Sequence, residues 1–196
     1  MKKKTILTML IISGALIATP FKANSQSVNN KATVTLRGNN VELSGVLPEK
    51  GTYAPDFTGV NNKMQDVSLD SFKGRKVILN IFPSLDTPTC ALSVRQFNQM
   101  ASELENTSVL CVSMDLPFAQ SRFCSTEGIE NVTPLSVFRN PEFGEKYGLL
   151  QTTGPSRGLL ARAVIVIDEN GKIIYTQLVQ EISQEPDYDD VMKNIK

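Results

Sequence analysis

The chain contains no histidine and no tryptophan in 196 residues. Without an imidazole, a Cys–His hydrolase, a Ser–His–Asp triad and any histidine-ligated metal site are excluded. Cysteine is scarce as well. The three thiols, Cys90, Cys111 and Cys124, form no Cys-x-x-Cys pair, which argues against a structural zinc site and against an ordinary dithiol redox motif. Charge of one sign is also lacking, since 20 Lys and Arg balance 20 Asp and Glu. Whatever activates a nucleophile in this chain must be a helix terminus, an arginine, a lysine or a hydroxyl.

No apolar run is long enough for a plain transmembrane anchor. Thr5 to Phe21 is mostly apolar, but Ser13, Gly14 and Pro20 interrupt it. It follows the positive start Met1-Lys2-Lys3-Lys4 and precedes the small residues Ala23-Asn24-Ser25. That order is a secretory signal over residues 1–25, removed before Gln26. An exported, periplasmic mature protein with no stable membrane insertion is expected. Losing the four lysines of this segment takes the net charge from 0 to −4, a poor match to nucleic acid. Residues 26–196 have the length of one domain with a full core.

One stretch carries more chemistry than any other. Lys76 to Phe82 is dense in Val, Ile and Leu, the pattern of a strand buried on both faces. It leads into Pro83-Ser84-Leu85-Asp86-Thr87-Pro88-Thr89-Cys90. Thr87 is a natural N-cap, and Pro88 suits the first helical position, where its missing N–H costs nothing. Cys90 then falls third in the helix, near unpaired backbone N–H groups and the positive end of the helix dipole, which favour a thiolate. Cys90, Val94, Phe97, Ala101 and Leu104 recur as one apolar stripe, so the thiol is expected to point inward, into a pocket. The alternative is a cysteine that merely packs beneath its helix.

The rest reads as strands and helices in alternation. Ala32 to Leu36 and Val41 to Ser44 flank Gly38-Asn39-Asn40 as a small N-terminal hairpin, and Gly45 to Gln65 is loop-like. Ser108 to Met114 is a second apolar strand, and Phe118 to Glu127 a short helix carrying Cys124. Val132 to Phe138 is a further strand, and Pro141 to Tyr147 a short helix. Arg162 to Ile167 and Lys172 to Leu178 flank Asp168-Glu169-Asn170-Gly171 as a hairpin, and Pro186 to Ile195 closes the chain as a helix. This order predicts an α/β domain of thioredoxin-like fold, a central mixed β-sheet flanked by helices, with the N-terminal β-hairpin in addition.

Pro83-x-x-x-Thr87-x-x-Cys90 is similar to the active-site signature of peroxiredoxins. Asn80-Ile81-Phe82-Pro83-Ser84, Asp115 to Cys124 and Ala161-Arg162-Ala163-Val164 resemble the bacterial thiol peroxidases, atypical two-cysteine members of that family. The resemblance implies that Cys90 attacks a hydroperoxide and becomes a sulfenic acid, which Cys124 resolves into a disulfide. It further implies an active-site arginine at Arg162, no cofactor, a thioredoxin-like reductant and a homodimer. Because a cytosolic thioredoxin could not reach an exported protein, the reductant would be a periplasmic one. Thr89 departs from the pattern, since an apolar residue is expected before the cysteine.

The chemistry of the residues agrees with that resemblance. Lowering an ordinary thiol pKa from about 8.5 to about 6 enriches the thiolate at pH 7 only some thirtyfold, far short of enzymatic acceleration. The remainder must come from donors aimed at the departing oxygen, and Arg162 and the Thr87 hydroxyl are the side chains in place for that, with Pro83 shaping the pocket. Thr87 could instead be only a cap, and Arg162 a surface charge. Arg95 reads as a solvated or ion-paired helix residue, Cys111 as inert strand packing, and Glu185, Asp187, Asp189 and Asp190 as a solvated helix start. Two other classes compete with a peroxidase: a binding module stapled by Cys90–Cys124, and an exported thiol–disulfide oxidoreductase. The absence of Cys-x-x-Cys weighs against the second.

Overall fold

The computed structural model describes residues 31–195; the expected signal segment lies outside them. A two-stranded hairpin, β1 (Thr33–Leu36) and β2 (Asn39–Glu42), precedes the main sheet. Its turn falls one position earlier than the sequence suggests. Arg37 and Gly38 carry it at φ 51° and 77°, because a two-residue turn of this hand needs positive φ at both centres. Asn39 and Asn40 are consequently strand residues.

Among the described residues the main sheet has seven strands. Two of them, β3 (Thr58–Val60) and β4 (Asp66–Ser68), emerge from the stretch that the sequence presents as loop or leaves unassigned, and they form an antiparallel edge pair. At three residues each, they are too short to show alternation. Gly59 marks the contact: a Cβ there would lie 3.1 Å from Cβ of Leu135, a tight approach that a side chain would force apart by a few tenths of an ångström. A 3₁₀ turn, Leu69–Phe72, leads to β5 (Lys76–Ile81), which is followed by α1 (Pro88–Ala101), β6 (Thr107–Ser113), α2 (Pro117–Glu127), β7 (Thr133–Ser136), α3 (Glu142–Lys146), β8 (Ala163–Ile167), β9 (Ile173–Leu178) and α4 (Tyr188–Ile195). The strand order is β4-β3-β7-β6-β5-β8-β9, parallel through β7-β6-β5 and antiparallel elsewhere. This is the thioredoxin-like sheet.

The strand period of two divides the core. Val77, Leu79 and Ile81 of β5 face one side with Leu110, Ile165, the hairpin residues Val34 and Val41, and Phe143 of α3. Ile78 and Phe82 face the other with Val109, Val164, Val94 and Phe97 of α1, and Val191 of α4. Each such side chain taken from water contributes about 1.5–3 kcal/mol. Phe97 joins α1 to α4, its ring 5.4 Å from Tyr188 in an edge-on contact. The N-terminus of α1 is therefore seated on a rigid floor where β5 ends. Among the described residues no helix is long and apolar enough to cross a membrane.

Candidate active site

After β5, Phe82 still bonds β6 through its N–H to the Val112 carbonyl at 3.2 Å, and Pro83 then turns the chain away, buried. The loop that follows is tied down by one carboxylate. Asp115 accepts from Ser84 Oγ at 2.7 Å, from the Leu85 N–H at 2.8 Å and from Ser113 Oγ at 2.9 Å. Thr87 takes the N-cap position with extended backbone, yet its hydroxyl caps no helical N–H. It donates back to the Ser84 carbonyl at 3.0 Å, so the expected side-chain cap is replaced by a turn that shapes the loop.

Cys90 lies in the first turn of α1 with no exposed surface. Arg162, at the entry to β8, is 1 % exposed. Its Nη2 donates to Cys90 Sγ at 3.1 Å and its Nε to the Ile182 carbonyl at 3.1 Å. Nη1 has no partner. Among the described residues no carboxylate is within ion-pair distance of this guanidinium. A buried cation without an anion is costly, and the Cys90 sulfur is the side-chain acceptor it meets. Arg162 is thus a buried side chain rather than a surface charge.

A cavity of about 190 Å³ opens beside these groups, walled by Leu36, Pro83, Thr87, Leu159, Arg162 and Ile182. Arg162 touches both the cavity and the sulfur, whereas Cys90 itself sits behind the wall. The thiol thus points inward but does not line the pocket expected for it; Arg162 is the group that the sulfur and the cavity share.

Several polar residues that sequence reasoning passed over support this arrangement. Asn80, fully buried on β5, donates to Ser93 Oγ at 3.4 Å, and Ser93 donates to the Cys90 carbonyl at 3.0 Å. An asparagine inside an apolar strand was the available signal. Glu181 accepts from Ser183 Oγ at 2.5 Å, the Gly38 N–H at 3.0 Å and the Arg37 N–H at 2.9 Å, bolting the N-terminal hairpin to the loop whose Ile182 carbonyl holds Arg162. Contacts of that kind, 143 positions apart for Gly38, leave no local trace in sequence.

Both remaining cysteines are free thiols. Cys124 lies in α2, half-buried, and burial raises its thiol above the usual range. Its helix is latched to α1 by Arg95 Nε and Glu127 Oε2 at 2.8 Å, so Arg95 is the ion-paired residue of the two options. Cys111 is buried inside β6, and desolvation pushes its thiol up to about 12 against a smaller opposing effect of the Asn80 amide. Among the described residues no cluster of side chains could hold a metal ion.

Comparison with known proteins places this geometry in a lineage. The Redoxin family model matches residues 49–192. A thiol peroxidase of Corynebacterium glutamicum is 58 % identical over 158 residues, spanning 81 % of this chain and 95 % of the relative. Among solved structures, a peroxiredoxin-like protein of Aquifex aeolicus is 43 % identical, with a TM-score of 0.80 over 85 % of this chain and 97 % of its own. A thiol peroxidase of Chromobacterium violaceum, 24 % identical, shares the fold with a TM-score of 0.77 over 82 % of this chain and 93 % of its own.

Proposed function

The chain belongs to the Redoxin family and to its thiol peroxidases, and on that premise we propose that it reduces hydrogen peroxide and organic hydroperoxides by a two-cysteine cycle. The observation that carries the proposal is the buried Arg162 guanidinium, which meets the Cys90 sulfur at 3.1 Å and, among the described residues, has no carboxylate partner and keeps one nitrogen unbonded.

In this cycle the Cys90 thiolate attacks the outer peroxide oxygen. An S–O bond forms, the O–O bond breaks, and the alkoxide or hydroxide takes a proton and leaves as alcohol or water. The developing charge falls where Arg162 has donors already fixed, and preorganised donors of this kind need no reorganisation at the moment of reaction. Thr87 borders the same cavity, and its hydroxyl can turn from the Ser84 carbonyl to the peroxide. Pro83 closes the wall against bulk water. The Cys124 thiol then gives up its proton and attacks the Cys90 sulfenic sulfur; the S–S bond forms, the S–O bond breaks, and the hydroxide takes that proton and leaves as water. A thioredoxin-like dithiol returns both thiols.

The chain works as a homodimer, and the mature protein, beginning near Gln26, acts outside the cytoplasm in the periplasm with a thioredoxin-like donor there. Mass spectrometry of the purified cellular protein tests the last point, since an intact Met1 on cytoplasmic protein would refute it. The peroxidase reading itself is tested by stopped-flow consumption of several hydroperoxides by the reduced protein. Consumption supports it, and an inert reduced protein would return the chain to a stapled module. That module and the thiol–disulfide oxidoreductase are the less favoured readings.

A further inference from the structure

Thr89 does not fill the apolar position expected before the cysteine; its hydroxyl donates to the Ser183 carbonyl at 3.0 Å, 94 positions away. We propose that Thr89 is a positioning residue that holds the first turn of α1 closed, and so sets how fast oxidised Cys90 leaves its pocket to meet Cys124. The inference rests on the two-cysteine reading above.

The first turn of a helix is weakly held, because its N–H groups have no carbonyl four residues back. Here Pro88 has no N–H at all, and the first helical bond closes only at the Ala91 N–H, on the Thr87 carbonyl at 3.0 Å. The Thr87 hydroxyl bonds within its own loop. The Thr89 bond is different in kind, because it ties the turn to a separate segment. That segment is itself anchored, with the Ser183 N–H and hydroxyl on Glu181 Oε1 at 3.1 and 2.5 Å. The adjacent Ile182 carbonyl holds Arg162. One short loop thus holds the arginine through one residue and the cysteine turn through the next.

The consequence separates the two chemical steps. Attack on peroxide uses the folded turn, in which Cys90 stays against Arg162. Cys90 and Cys124 are free thiols on different helices, α1 and α2, and on the two-cysteine reading their disulfide forms once these turns open and bring the Cα atoms within about 7 Å. A latch on the turn therefore slows the second step, and because Thr89 also lines the cavity beside Arg162, the two steps must be measured separately. While the turn is closed, the sulfenic acid is exposed to a second peroxide, which adds a second oxygen to the sulfur and leaves as water or alcohol, giving a sulfinic acid.

The test is Thr89→Val, which keeps the shape and removes the donor, with Thr89→Ser as the conservative rescue. Because the protein has no tryptophan, the reaction is followed by acid quench, alkylation and mass spectrometry. Sulfenic acid formation, measured in a Cys124→Ser background, gives the rate of the first step for each variant, so that the disulfide step is read apart from it. Cys90–Cys124 disulfide formation should quicken about threefold to fivefold in the valine variant, the weight of one net hydrogen bond, and sulfinic acid per turnover should fall in proportion. Thr89→Ser should restore the original rate. Equal or slower disulfide formation in Thr89→Val would overturn the proposal while leaving the peroxidase reading intact. A parent protein that forms no such disulfide would overturn both.

Discussion

Arg162 Nη2 stands 3.1 Å from Cys90 Sγ, a contact between residues 72 positions apart that joins the entry of β8 to the first turn of α1. Arg162→Met keeps the apolar stem and deletes the donors. Cys90 oxidation should then slow by at least about a hundredfold, the loss expected for a donor aimed at developing charge. Stopped-flow second-order rate constants check this, and an unchanged value would remove Arg162 from the mechanism.

The three thiols differ in setting, so their substitutions should differ in effect. Cys90→Ser should abolish peroxide reduction. Cys111→Ser should leave it nearly intact, because that thiol is desolvated inside β6 and pushed up to about 12. Comparable losses in the two variants would contradict the assignment.

Glu181 links the hairpin to the arginine loop, and its carboxyl is held far below the usual carboxylate range, first by the Ser183 hydroxyl and then by the Gly38 and Arg37 N–H groups. A depressed folded pKa stabilises the native state at pH values above the unfolded value of about 4.3, and that contribution is lost as the pH falls from there through the folded value. Glu181→Gln should therefore lower the melting temperature at pH 7, and the difference from the parent should shrink as the pH drops below about 4. Thermal melts across that range decide the point. A difference that grows toward acid would show the sign to be wrong.

Cys124 is half-buried on a helix latched by Arg95 and Glu127, and burial suppresses its ionisation. Disulfide formation should accordingly unwind the first turn of α1, the Cys124 segment, or both, with re-reduction restoring them. Hydrogen exchange of reduced and disulfide forms measures this directly. Protection at Thr89 to Val94 and Ser121 to Gly128 should fall in the disulfide form, and equal protection would mean that the thiols need no rearrangement.

Much of the scaffold was legible because long apolar strands and a capped amphipathic helix leave strong local patterns. Lys76 to Ile81 and Pro88 to Ala101 emerge almost as read, and so does the placement of Cys90 in a first helical turn. The short strands Thr58–Val60 and Asp66–Ser68 were not legible, since three residues carry no period and their pairing depends on the close approach at Gly59. The N-terminal turn slipped by one residue because Asn39 and Asn40 imitate turn residues, while Arg37 accepts the positive φ. Within the site, Cys90, Pro83, Thr87 and Arg162 were named from sequence; the structure lines one cavity with Pro83, Thr87 and Arg162 and sets Cys90 behind it, against Arg162. Asn80 and Asp115 entered only within the resembling motifs, with no role assigned, and Ser93 and Glu181 were not singled out, because what these residues do depends on partners that only the fold brings within reach.

The most direct measurement adds one equivalent of hydrogen peroxide to the fully reduced protein, quenches with an alkylating reagent and maps the peptides. A two-cysteine peroxidase should consume the peroxide, lose two thiols and yield a Cys90–Cys124 disulfide with Cys111 alkylated. Persisting peroxide with Cys90, Cys111 and Cys124 all alkylated would contradict it.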